Sequence, residues 1–135
     1  MSTRANVIIK DRYDKIYFYR HSDGYPEGTM PTLNKFLNLV KNGRIRGNTG
    51  QAAGWLVLIG AEEYNSSLKN AENPEPDNYF SWKVGAYEPT DGLHGDIEFL
   101  YIIDLDKQKI EARYTTREFW NKPLLKNTKK IKDKE

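Results

Sequence analysis

Residues 96–115 read Asp-Ile-Glu-Phe-Leu-Tyr-Ile-Ile-Asp-Leu-Asp-Lys-Gln-Lys-Ile-Glu-Ala-Arg-Tyr-Thr. The apolar side chains Ile97, Phe99, Tyr101 and Ile103 alternate against Glu98, which predicts a strand over Asp96–Leu105. Asp106-Lys107-Gln108 turns the chain, and Lys109–Thr115 returns with Ile110, Ala112 and Tyr114 on one face. A hairpin here makes the protein a sheet protein.

Working toward the N-terminus, a second hairpin is expected. Asn6–Lys10 places Val7 and Ile9 on one face and Ile8 on the other. Asp11-Arg12-Tyr13-Asp14 is a turn, and Lys15–His21 follows as a strand. Ile16 and Phe18 face one way on it, and Tyr17, Tyr19 and His21 the other, so both faces are expected to be at least partly covered.

Helical spacing fills the middle of the chain. Leu33, Phe36, Leu37 and Val40 recur on one stripe, with Thr29 as the expected N-cap, Pro31 in the first turn and Asn42-Gly43 as the stop. Gln51–Leu68 is expected to be a second helix, supported by Ala52, Trp55, Leu56, Ile59 and Tyr64 and weakened by Gly54 and Gly60. A buried strand over Trp55–Ile59 is the alternative. Asn70–Asn78 reads as a loop and Phe80–Tyr87 as a further strand. The order ββ-α-α-βββ predicts an α+β domain with a mainly antiparallel sheet of about five strands and its helices on one face.

The 135 residues suit a single domain, and the nine Tyr, five Phe and three Trp argue against disorder. Zero Cys excludes disulfides, zinc-thiolate sites and a cysteine nucleophile, and fits a cytoplasmic protein. No membrane-spanning run and no signal peptide is read. The net charge of +2 is unevenly placed, because residues 122–135 hold six Lys against Asp133 and Glu135. The division expected is a domain over residues 1–121, its chain end docked by Phe119 and Trp120, and a basic, flexible tail over 122–135. Nucleic acid contact through that tail is the less favoured reading.

Three places could carry chemistry. His21-Ser22-Asp23 and His94-Gly95-Asp96 are both His-x-Asp, and on strands each pair would share a face, with Glu98 extending the second. Brought together they would make a ligand set for Zn²⁺, Mn²⁺ or Fe²⁺, but strand-end turns are the simpler reading and no metal or other cofactor is expected. The loop His21–Gly28 is tightly constrained by Gly24, Pro26 and Gly28, with Tyr25 held between Gly and Pro. Ser2, exposed by removal of Met1, would be an N-terminal nucleophile next to Thr3 and Arg4; an ordinary chain start is the simpler reading. P-loop, dinucleotide-fingerprint and nucleophile-elbow motifs are absent.

The start Met-Ser-Thr-Arg and the segment Tyr19-Arg20-His21-Ser22-Asp23-Gly24-Tyr25-Pro26 resemble a widespread family of small uncharacterised bacterial and phage proteins. Its members begin Met-(Ser or Gly)-Thr-Arg and carry Tyr-Arg-x-x-Asp-Gly-Tyr-Pro after the first hairpin. The resemblance brings no activity with it and implies a phage-related setting, with host interaction or anti-defence as the expected role. Two classes of function stay open. One is a binding protein for a protein partner or a small polar, nucleotide-like ligand, using Arg4, Tyr17, Tyr19, Arg20, His21 and Tyr25. The other is a small hydrolase using Asp23, Asp96 and Glu98, with or without a metal bound by the His-x-Asp pairs. In both, the functional surface is expected around Asp23–Pro26, with Arg4 close to Asp23.

Overall fold

The structure is a computed structural model and describes residues 3–69, 86–115 and 128–131. The elements run β1 (Ala5–Lys10), β2 (Lys15–Arg20), α1 (Pro26–Lys41), α2 (Thr49–Lys69), β3 (Glu88–Thr90), β4 (Phe99–Asp104), β5 (Lys109–Thr115) and β6 (Thr128–Lys130). The α+β class and the ββ-α-α-β succession are as the sequence implies. The sheet has six strands in the order β3-β2-β1-β4-β5-β6. Every pairing is antiparallel except β1 with β4, which is parallel and is reached from β3 through residues 91–98.

Both helices cover one face. The register aligns Ile16, Ile9, Ile103 and Ile110 across four strands, and Phe18, Val7, Tyr101 and Ala112 in the next row. These side chains join Leu33, Phe36, Leu37 and Val40 of α1 and Ala52, Leu56 and Ile59 of α2 in one core. Each large apolar side chain fully buried there contributes about 1.5–3 kcal/mol. The opposite face has a smaller cluster of Ile8, Tyr19, Ile97 and Leu100, flanked by Tyr17, Leu93 and Ile102. That cluster explains why β2 is apolar on both sides.

Several boundaries move. α1 begins five residues before Pro31: Tyr25 is its N-cap, without a side-chain cap bond, and Pro26 occupies the first turn. Thr29 lies inside the helix, where its hydroxyl donates to the Asp23 carbonyl at 2.9 Å. The loop therefore closes over the first turn, and no side chain is required at the cap itself. The end is as expected, with Gly43 at φ +80° and Arg44 N–H bonded to the Leu39 carbonyl. The helical reading of residues 51–68 holds and the strand alternative falls, although Trp55 lies on the outer face of α2 and not in the core.

On the C-terminal side, β4 starts at Phe99, so Asp96 and Glu98 precede the strand. Of the strand expected over Phe80–Tyr87, residues 80–85 lie outside the described residues; Tyr87 is in a bend, and the strand there is Glu88–Thr90. Thr128–Lys130, expected in a flexible tail, pair with Arg113–Thr115 as β6. Phe119, Trp120, Ser2, the loop 70–78 and the tail residues 122–127 and 132–135 lie outside the described residues. No described helix is long and apolar enough to cross a membrane.

Asp11 ties the first hairpin to α2. Its carboxylate accepts the backbone N–H of Tyr13 and Asp14 at 2.8 Å each and that of Thr49 at 3.0 Å. Those donors, Asp14 foremost, hold its carboxyl well below the usual carboxylate range.

Candidate functional site

The pleat of β2 divides the expected site residues into two groups. Tyr19 lies on the face away from the helices, and Arg20 lies on the helix-covered face beside Ala5. The two groups have different surroundings.

Arg20 is 4% exposed. Its Nη2 meets Glu63 of α2 at 2.9 Å and donates to the Gly28 carbonyl at 3.3 Å. Its Nε donates to the Asp23 carbonyl at 3.3 Å, and its guanidinium sits 5.1 Å from the centroid of the Tyr87 ring. Arg20 thus joins β2, the loop and both helices from inside the protein. The hairpin brings the loop back to the chain start, as expected: Gly24 N–H donates to the Thr3 carbonyl at 2.9 Å, and the Gly24 carbonyl accepts the Tyr101 hydroxyl at 2.6 Å. A Cβ on Gly24 would stand 2.8 Å from that of Ala5, which explains the glycine. Burial pushes the Tyr101 phenol up. The Asp23 carboxylate adds only its charge beside Arg20 to this lock; the hydrogen bonds come from its carbonyl. Asp23 is exposed, at φ +55°, and Tyr25 is exposed beside it.

Arg4 does not pair with Asp23. Its Nε is 3.5 Å from Oδ2 of Asp96, and the two side chains are 46% and 50% exposed. Tyr19 donates its hydroxyl to the same Asp96 oxygen at 2.7 Å. Desolvation, and then that bond, push the Tyr19 phenol up to about 12. Tyr19 is 4% exposed, buried with Ile8, Ile97 and Leu100, and both histidines of the chain pack on its ring. His94 stacks at 3.9 Å between centroids and 17° between planes, and His21 meets it edge-on at 4.5 Å. His21 Nε2 lies 3.2 Å from Glu88, and His94 Nε2 shares a 2.9 Å hydrogen bond with Thr90.

The two His-x-Asp segments therefore converge through their imidazoles on the Tyr19 ring. Each imidazole already has its own partner, and neither segment lies on a strand. Among the described residues no three His, Asp or Glu side chains gather so as to hold a metal ion. Glu98 is exposed, and its backbone N–H bonds the Arg4 carbonyl at 2.8 Å.

Sequence reading missed Asn6, Glu88, Thr90 and Glu63. Asn6 is fully buried in β1. Its Nδ2 donates to the Phe18 carbonyl at 2.7 Å, and its Oδ1 accepts the His94 backbone N–H at 2.8 Å, so it moors the loop that carries His94. An asparagine, a poor β former, at the head of an apolar strand was the available signal.

No family model, no curated protein and no solved structure matches the chain. Fold and geometry alone define its class: a small α+β domain carrying an aromatic and ionic cluster on the face of its sheet away from the helices.

Proposed function

We propose that the protein is a non-catalytic binding protein whose recognition surface is the cluster of Arg4, His21, Glu88, Asp96 and His94 around Tyr19, and that it binds another protein. One observation carries this reading. Half-exposed groups of both signs are mounted on a buried Tyr19 ring held on two sides by imidazoles, which keeps them ordered before a partner arrives. Arg and aromatic groups held in this way are the types that dominate binding energies. The cavities of 520 and 380 Å³ lie elsewhere, one between α1 and β5 and the other along α2. That position favours a protein surface over a small polar or nucleotide-like ligand.

A hydrolase is less favoured. Asp96 is committed to Tyr19 and Arg4, while Asp23 belongs to the loop on the other side of β2. The resemblance to bacterial and phage proteins directs the proposal toward a cytoplasmic host protein, in a host-interaction or anti-defence role.

The test compares wild type with Arg4→Ala and His21→Ala in pull-downs from bacterial lysate, followed by affinity measurement on any protein retained. Loss of about tenfold or more in affinity, ~1.4 kcal/mol, with unchanged thermal stability supports the surface. A partner held equally by all three overturns it. Resonance shifts of His21 and His94 on adding a mononucleotide, with no protein retained, would favour the small-ligand reading instead.

A further inference from the structure

The outer face of α2 departs from what a surface helix needs. Gly50, Gln51, Gly54, Trp55 and Leu58 are all exposed and carry no charge, and the first charged residue of that helix is Glu62. Trp55 is 46% and Leu58 45% exposed, while Ala52, Leu56 and Ile59 bury the opposite side. A helix that is apolar all round belongs in an interior or an interface. At about 1.5 Å of rise per residue the uncharged stripe from Gly50 to Leu58 extends over about 12 Å, a little more than two turns.

Two of the three glycines in the helix, Gly54 and Gly60, behave differently. Gly60 has an internal reason, since a Cβ there would stand 2.6 Å from the Tyr87 ring. At Gly54 a Cβ would meet nothing within 4 Å. Glycine weakens a helix interior relative to alanine, and nothing within the chain requires it at Gly54. Beside Trp55 and Leu58 it leaves a furrow of about 380 Å³ lined by Gly50, Gln51, Gly54, Trp55 and Leu58.

We infer that this face is the contact between two copies of the chain, with the α2 helices packed antiparallel about a twofold axis close to Gly54 and Trp55. Shape and charge both select a second copy. In a twofold contact, residue i meets j and j meets i. An axis between positions 54 and 55 places each Trp55 over the other copy's Gly54 and each Leu58 over its Gln51. It also brings each Glu62 to the other copy's Gly47, next to Arg46. Arg44, Arg46 and Glu62 are exposed and form no ion pair among the described residues. Cations stand before the helix and an acid follows the apolar stripe, so only the antiparallel arrangement joins opposite charges at both ends. The missing side chain at Gly54 lets the axes approach to the short end of ordinary helix spacing. A contact of this length is at the small end of specific interfaces, so a reversible dimer is expected.

Sedimentation velocity on the full chain, across the roughly micromolar to near-millimolar range, tests this. The wild type is expected to shift from monomer to dimer with concentration. Trp55→Glu and Gly54→Gln should each remain monomeric. Gly54→Ala should raise the melting temperature of the dilute monomer while weakening association, a combination a glycine needed for the fold would not show. Arg46→Glu or Glu62→Arg alone should weaken the dimer several-fold, and the two together should restore it. A wild type that stays monomeric at every concentration overturns the inference. So does a dimer indifferent to Gly54→Gln and Trp55→Glu, or one whose charge swap gives no rescue.

Discussion

Tyr19 and Arg20 are neighbours in the chain on opposite faces of one sheet, and each organises its own side. Both are 4% exposed. Arg20 is enclosed by two helices and binds the protein's own backbone and Glu63. Tyr19 is enclosed by the small apolar cluster and two imidazoles, and the groups it holds face water. The comparison teaches that burial of a polar residue does not itself assign a role. The exposure of what it holds does: Arg20 holds buried structure together, whereas Tyr19 presents Asp96 and, through Asp96, Arg4.

The largest effect expected on the Arg20 side is Arg20→Ala. Removing one member of a buried ion pair, together with two carbonyl bonds and the Tyr87 contact, should cost about 3 kcal/mol or more, read as a lower urea midpoint. A loss below about 1 kcal/mol would break the contrast with Tyr19, because Arg20 would then be no more structural than a surface ion pair.

The loop between these two residues and α1 gives a sharper case. Asp23 locks it mainly through its carbonyl and its φ of +55°, its carboxylate adding only a charge beside Arg20. Asp23→Ala should cost about 1–2 kcal/mol, the penalty of placing alanine in the left-handed region. Asp23→Gly removes the same carboxylate without that penalty and should be clearly less destabilising in the same denaturation experiment. Equal losses would return the role to the carboxylate.

The elements that alternation or helical spacing could reveal were legible in the sequence. Ile97–Ile103, Val7–Ile9 and Leu33–Val40 point to the sheet and to α1 because their periods record which side faces the core. Arg4, Tyr19, His21 and Asp96 were legible as candidates by type. Their grouping was not. Asp23 and Asp96 are both carboxylates two residues after a histidine, and only the tertiary path of residues 91–98, moored by Asn6, gives Arg4 to Asp96. Glu88 and Glu63 reach the two sides of β2 from 67 and 43 positions away, and no local pattern encodes such a meeting. Tyr25 as N-cap went unread because it caps without a side-chain bond, which is the only kind of cap the residue type announces.

The smallest effect belongs to Tyr19→Phe, and its pH dependence identifies it. The ring and its stacking on His94 remain, so only the hydroxyl bond to Asp96 is lost. At neutral pH the cost should be about 0.5–1 kcal/mol, since Asp96 is half exposed and water replaces the donor. In the wild type the folded protein holds the Tyr19 proton more tightly than the unfolded chain does, with the phenol at about 12 against its ordinary 10. The stability from this raised value is complete below pH about 10 and drains away as the pH climbs toward 12. Burial also pushes the phenols of Tyr87 and Tyr101 up, so the wild type and the variant both weaken at high pH. Only the wild type should carry the Tyr19 share of the loss between pH 10 and 12. Urea midpoints followed across that window should therefore converge as the pH rises, the gap between the two proteins narrowing from its neutral value. Curves that stay parallel would mean that the Tyr19 hydroxyl is not held by Asp96, and the ordered surface around Arg4 would lose its foundation.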